Sequence, residues 1–159
     1  MIEGPYLVLM VLGVLATGVM AGVFGAFSVL VMRGLGALPS ARGVAAMNAI
    51  NSAALTPAFM IVFLGTAVVC AMLAVVTFVV WPDEGRLELL LGSALYLVGA
   101  FGVTVTANVP RNEALARLDA GTPEAAEYWP VYVREWTRWN HVRALASAAT
   151  AVIYVAALV

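Results

Sequence analysis

The chain has 159 residues, 64% of them hydrophobic and 11% charged, with a mean hydropathy of +1.00 and a formal net charge of −1. A soluble domain is roughly 45 to 50% apolar, so the composition excludes one and points to a small integral membrane protein, a single domain held by helix packing and interhelical hydrogen bonds in lipid. The lack of a basic excess excludes a nucleic-acid-binding face, and the lone Cys70, set among valines and alanines, excludes an intrachain disulfide and reads as a small buried apolar residue.

In chain order, residues 5–32 form the first apolar run, longer than the roughly 20 residues a span needs. Acidic Glu3 stands ahead of it, with no basic leader and no short polar cleavage region behind, so the run reads as a span and not as a cleavable signal peptide. Gly13, Gly18, Gly22 and Gly25, with Ala21 and Ala26 between them, predict a face that another helix approaches closely. Pro39-Ser40 then turns the chain and caps a short amphipathic helix over 41–51, with Val44, Met47, Asn48 and Asn51 on a common side. An asparagine amide competes for the helix backbone, so Asn48 and Asn51 serve either to brace neighbouring helices or to face a ligand.

Pro57 opens the second span, 57–81, in a first turn where its missing donor costs little. The polar turn Pro82-Asp83-Glu84-Gly85 leads into a third span, 87–108, ending in Asn108-Val109-Pro110. Proline lacks a donor and disfavours helix before it, so a kink or break is expected there, with backbone carbonyls freed near Asn108 and Asn112. A second amphipathic segment, 111–120, is closed by Gly121, and Thr122-Pro123 caps the next helix. That helix carries Trp129, Tyr132, Trp136 and Trp139 over 124–139 and runs without a stop into a fourth span, 140–159. The predicted fold is all-α: an integral membrane four-helix bundle with short amphipathic helices in the first and third connections.

Of the eight arginines, Arg86 alone lies in the second-to-third turn, and the others lie on the opposite side or at its edge. The positive-inside rule then puts that side in the cytoplasm, with both termini outside the plasma membrane. The stretch Trp136 to Arg143 concentrates the polar chemistry there. Helical spacing sets Trp136, Asn140 and Arg143 on one face, with His141 one position round. Ionisable groups in a span normally point into protein or a wet cavity and mark a site. Arg143, a turn deeper than Arg138, needs an acceptor such as a carbonyl freed at Pro110. Plainer roles stand beside these. Trp129 and Tyr132 read as an interfacial aromatic belt, Arg134 and Arg138 as partners of lipid phosphates or of Glu135 and Glu127, and His141 alone as a helix brace.

One histidine, one distant cysteine and no paired carboxylates inside the spans cannot assemble a usual zinc, iron or copper set within one chain. A haem on His141 would need a second ligand from a methionine or another subunit. No phosphate loop, G-x-S-x-G or dinucleotide fingerprint is present.

Phe27-Ser28 with Met32, Met47 through Ile50-Asn51, Asn108-Val109-Pro110 with Asn112 and Leu115, and Trp129, Trp136, Trp139-Asn140-His141 and Arg143 resemble the DUF1772 membrane family, which includes the anthrone oxygenases. Asn48 departs from it, standing where many members carry glutamine. The resemblance implies oxidation of an anthrone-like hydroxylated tricycle to a quinone by dioxygen, with no prosthetic group. In that chemistry His141 is the candidate base, Arg143 with Asn140 or Asn112 the donors to an enolate or peroxide oxygen, and Trp136 and Trp139 the stacking surfaces. Asn48, Asn51 and Asn108 complete the expected substrate-binding set. The alternative is a non-enzymatic membrane module that binds a small aromatic or quinone-like ligand or serves as a partner subunit. Transport is disfavoured by the small size and the lack of inverted repeats unless the chain forms a homo-oligomer.

Overall fold

A computed structural model describes residues 4–159, so Glu3 and its bearing on the chain's start lie outside the described residues. Five helices account for most of the chain: α1 Pro5–Gly36, α2 Ser40–Ala53, α3 Pro57–Val80, α4 Arg86–Ala116 and α5 Pro123–Ala156. No strand occurs among the described residues. Each start follows local chemistry. Pro5, Pro57 and Pro123 sit in first turns, and the Thr122 hydroxyl accepts the Ala125 N–H at 3.3 Å. Trp81, left-handed at φ 50°, and Gly85, at φ 71°, reverse the chain between α3 and α4.

Three helices, α1, α3 and α4, are long and apolar enough to cross a membrane. Their outward residues suit lipid: Ile61, Val79 and Leu91 are among the large apolar side chains left exposed. These are three of the four expected spans, and the fourth segment forms the second half of α5. At 1.5 Å per residue, the 34 residues of α5 run about 51 Å, against a hydrocarbon core of about 30 Å. Its first half carries Glu124, Glu127, Arg134, Glu135 and Arg138, whereas its second half turns Leu145 and Val152 outward and packs along α1 and α4. The helix ends at Ala156, short of the expected 159.

Of the kink or break expected at Pro110, the break does not occur. Helix α4 runs on to Ala116, absorbing the proline through two π-helical stretches, Leu97–Gly102 and Thr104–Asn108, after which Pro110 stands in the first turn of the segment Val109–Ala116. A residue there needs no i−4 donor, so the missing N–H is tolerated, and the segments expected at 87–108 and 111–120 are one helix. The Ala107 carbonyl takes the Arg111 guanidinium at 2.8 Å. Helix α1 likewise passes 32 and reaches Gly36 through a π-turn at Phe27–Val31.

Two apolar clusters fill the bundle. One lies between α1, α3, α4 and the end of α5, around Met10, Met20, Phe63, Leu73, Tyr96 and Tyr154. It is tied by the hydroxyl pairs Tyr6–Thr77 and Ser93–Tyr154, both at 2.7 Å, and by Thr150 Oγ1 donating to the Gly92 carbonyl at 3.1 Å. The other lies under α2, where Val44 and Met47 cover Met32, Leu115, Trp129, Tyr132 and Trp136.

The glycine face predicted on α1 is narrower than expected. Only Gly13 of the four meets a neighbouring helix, with Leu73 and Tyr154 against it, whereas a Cβ at Gly18, Gly22 or Gly25 would meet open space. The tighter approach is at Gly43 on α2, where a Cβ would lie 2.5 Å from Trp129 Cζ2 and 2.6 Å from Cε2. Gly43→Val is therefore expected to destabilise by about 2 to 3 kcal/mol through overpacking, more than the few tenths that leaving glycine restores to helix propensity. A detergent melt measures this, with Gly18→Ala as the variant that does not lower the midpoint; equal midpoints for the two would contradict the packing.

Candidate functional site

The inner face of α5 presents Trp136, Asn140 and Arg143 in succession, and each finds its partner on a different helix. The π-turn at Phe27–Val31 loosens the α1 ladder beside the Phe24 carbonyl, which accepts from Asn140 Nδ2 at 2.7 Å. The same amide donates to Ser28 Oγ at 2.8 Å. Its oxygen accepts from Arg143 Nη2 at 2.6 Å. Arg143 Nη1 donates to Thr104 Oγ1 at 3.1 Å, and the Thr104 proton is committed to the Ala100 carbonyl, leaving a lone pair for the guanidinium. The carbonyl expected from Pro110 is thus replaced by a hydroxyl from the π-helical stretch of α4 and by the Asn140 amide.

Helix α4 supplies two asparagines. Fully buried Asn108 donates through Nδ2 to the Trp136 carbonyl at 3.2 Å. Asn112 Oδ1 accepts from both the Tyr132 hydroxyl and Trp136 Nε1, each at 2.8 Å. Trp129, Tyr132 and Trp136 stack in sequence, with ring centroids 5.7 and 6.5 Å apart. These rings are buried in the bundle, so the interfacial-belt reading of Trp129 and Tyr132 is corrected: α2 lies over the stripe and shields it from lipid and water. Burial pushes the Tyr132 phenol above its ordinary range and keeps it a neutral donor.

The electrostatics of Arg143 set it apart. It is 6% exposed, and its guanidinium carbon lies 4.3 Å from the centroid of the Phe24 ring and 5.2 Å from that of Trp136. Among the described residues the ion pairs are Arg111–Glu135, Arg117–Glu113 and Arg134–Glu135, so no carboxylate neutralises this buried cation. Its Nε has no acceptor. Further buried polar atoms without partners are Asn48 Oδ1 and Asn51 Nδ2 on α2, Tyr96 Oη and Asn108 Oδ1 on α4, and Trp129 Nε1 and Thr137 Oγ1 on α5, with Asn51 beside Tyr132. Such atoms are rare in a packed interior and call for a functional reason.

Of the nine residues singled out from the sequence, direct hydrogen bonds join Asn108 to Trp136, Asn112 to Trp136, and Asn140 to Arg143, while Asn48 and Asn51 approach from α2. The structure sets two apart. Trp139 is half-buried next to Arg111, 6.0 Å from its guanidinium carbon. His141 is exposed on the wall of a groove of about 470 Å³ between α1 and α5. A helix turns 100° per residue, so the position after inward-facing Asn140 faces elsewhere. Ser28 joins the two places, because it meets Asn140 and also lines the groove. Phe24, Thr104 and Tyr132 are site residues that sequence reasoning missed; the Trp129, Tyr132, Trp136 spacing was a usable signal, whereas Phe24 and Thr104 carried none. No three His, Cys, Asp or Glu side chains are grouped to hold a metal among the described residues.

A family model described as anthrone oxygenase matches residues 58–153, well over half of the chain. The chain belongs to the anthrone oxygenase family. The matched region takes in α3, α4 and most of α5, and with them Asn108, Asn112, Trp136, Asn140 and Arg143, while the Phe24, Ser28, Asn48 and Asn51 contributions come from α1 and α2, ahead of it. No curated protein and no solved structure matches the chain. Anthrone oxygenase kinship assigns an oxygenase-like role to this helical bundle.

Proposed function

We propose that the protein oxidises an anthrone-like hydroxylated tricycle to the corresponding quinone with dioxygen, drawing the electrons from the substrate itself and using no prosthetic group. One anthrone and one dioxygen give one quinone and one water. Loss of a proton from the methylene carbon forms the enolate, which passes an electron to dioxygen. The resulting radical pair forms the carbon–oxygen bond of a peroxide, and loss of the second methylene proton with cleavage of the oxygen–oxygen bond releases water and leaves the carbonyl.

The observation that carries this reading is the buried Arg143 cation, held between two rings with no carboxylate partner. An enolate or phenolate oxygen is the counterion such a site favours, and preorganised charge in a water-poor interior stabilises it strongly. The unpartnered amide atoms Asn48 Oδ1, Asn51 Nδ2 and Asn108 Oδ1 then read the hydroxyl and carbonyl edge of the ring system, and Trp136 supplies a stacking face. His141 is assigned as the proton acceptor through Ser28, supported by the groove the two share and by the Ser28–Asn140 hydrogen bond. The arginine asymmetry supports a plasma-membrane orientation with this site toward the cytoplasm and both termini outside.

Oxygen uptake by the detergent-purified protein with a panel of anthrones tests the reading. Uptake faster than the spontaneous rate, with quinone formed one for one, is expected. Through the His141–Ser28 route, His141→Gln lowers turnover by roughly 10- to 100-fold, and Ser28→Ala added to it lowers it little further. Full turnover by His141→Gln removes the imidazole from the mechanism. Tight binding of the same anthrones with no uptake by the wild type replaces the enzyme with a ligand-binding module.

A further inference from the structure

The groove that holds His141 has a character of its own. Arg33 from the end of α1 and Arg134 and Arg138 from α5 line it, and among the described residues no carboxylate does and Arg33 and Arg138 form no ion pair. Only Arg134 is engaged, by Glu135 at 3.4 Å. The groove also lies where the surface changes from apolar to charged on both helices. On α1, Val29 and Leu30, 57% and 70% exposed, come just before Arg33; on α5, Val142 and Leu145 come just after Arg138 and His141. Water and lipid tails therefore meet at this level, with unpaired guanidinium groups on one side and bare apolar side chains on the other.

We infer that this groove seats the phosphate of an anionic phospholipid, its acyl chains lying over the exposed apolar residues of α1 and α5. Charge decides the class. Arg33 and Arg138 face the headgroup with no lining acid to receive a cationic choline or ethanolamine, so a lipid whose headgroup adds no positive charge is preferred. Guanidinium groups bind phosphate oxygens in a bidentate fork, which an exposed arginine pair supplies without rearrangement of the bundle. Arg33 and Arg138 take no part in the oxidation proposed above, and the inference does not depend on that reaction.

Native mass spectrometry of the full chain in detergent, titrated with phosphatidylglycerol or phosphatidylcholine of equal chain length, reads the site directly. The wild type is expected to bind phosphatidylglycerol at least tenfold more tightly, and Arg33→Gln with Arg138→Gln to abolish that preference, a loss of roughly thirtyfold for the two charges together. Arg117→Gln, which removes an exposed arginine of equal charge outside the groove, keeps it. Both groove arginines are exposed and unpaired, and an unchanged helical circular dichroism spectrum shows that the double variant folds. Equal affinity of the wild type for the two lipids, a preference that survives in the double variant, or displacement of bound phosphatidylglycerol by millimolar inorganic phosphate would overturn the lipid assignment.

Discussion

Arg143→Gln is expected to lower anthrone-dependent oxygen uptake by about 10²- to 10³-fold while leaving the thermal midpoint unchanged or raised. The kinetic half follows from removing a preorganised cation from beside the developing oxyanion. The stability half follows from its setting. A buried charge carries a desolvation cost of several kcal/mol, and no carboxylate offsets it here, so a neutral side chain that still reaches Asn140 Oδ1 relieves a cost while keeping a hydrogen bond. Arg143→Lys retains the charge but lacks the planar fork that reaches Thr104 and Asn140 together, and should fall between glutamine and wild type. Steady-state uptake and a detergent melt on the same preparations separate the roles. A glutamine variant that melts far lower, yet turns over normally per folded molecule, would make Arg143 a structural brace and end the proposed mechanism.

Asn112→Ala should destabilise the protein by about 1 to 5 kcal/mol, because one amide oxygen serves two donors, of which only Tyr132 has another amide, that of Asn51, beside it. The Tyr132 hydroxyl and Trp136 Nε1 both reach it at 2.8 Å, and both side chains are buried beneath α2. Stranding each donor costs about 1 to 3 kcal/mol. Tyr132→Phe removes one of them, so adding it to Asn112→Ala should cost less than the sum of the single changes, and the cycle isolates the shared bond. Chemical unfolding in mixed micelles measures the differences. A cost for Asn112→Ala within 0.5 kcal/mol of zero, about the level of a neutral surface change, would mean that the two donors find other partners. The variant should also lose turnover, since Trp136 forms one wall around Arg143.

Much of the architecture was legible from residue chemistry read locally. Apolar length marked α1, α3 and α4; proline in first turns and Thr122 marked helix starts; and the i, i+4, i+7 spacing of Trp136, Asn140 and Arg143 placed them on one face. These properties belong to a single helix and its solvent, so no tertiary information is needed. Pro110 shows where local rules mislead: proline breaks an α-ladder, but the π-helical stretches before it change the register so that the missing donor falls in a first turn. The sequence by itself determined a helical membrane bundle and the polar composition of its site. Only the tertiary structure decided that Phe24 and Ser28 receive Asn140, that Thr104 receives Arg143, that α2 buries Trp129 and Tyr132, and that His141 faces a groove while its neighbour faces the core. The physical reason is that burial and partnership depend on which helix packs against which face. In this chain that is settled by contacts between residues as far as 116 positions apart, from Phe24 to Asn140.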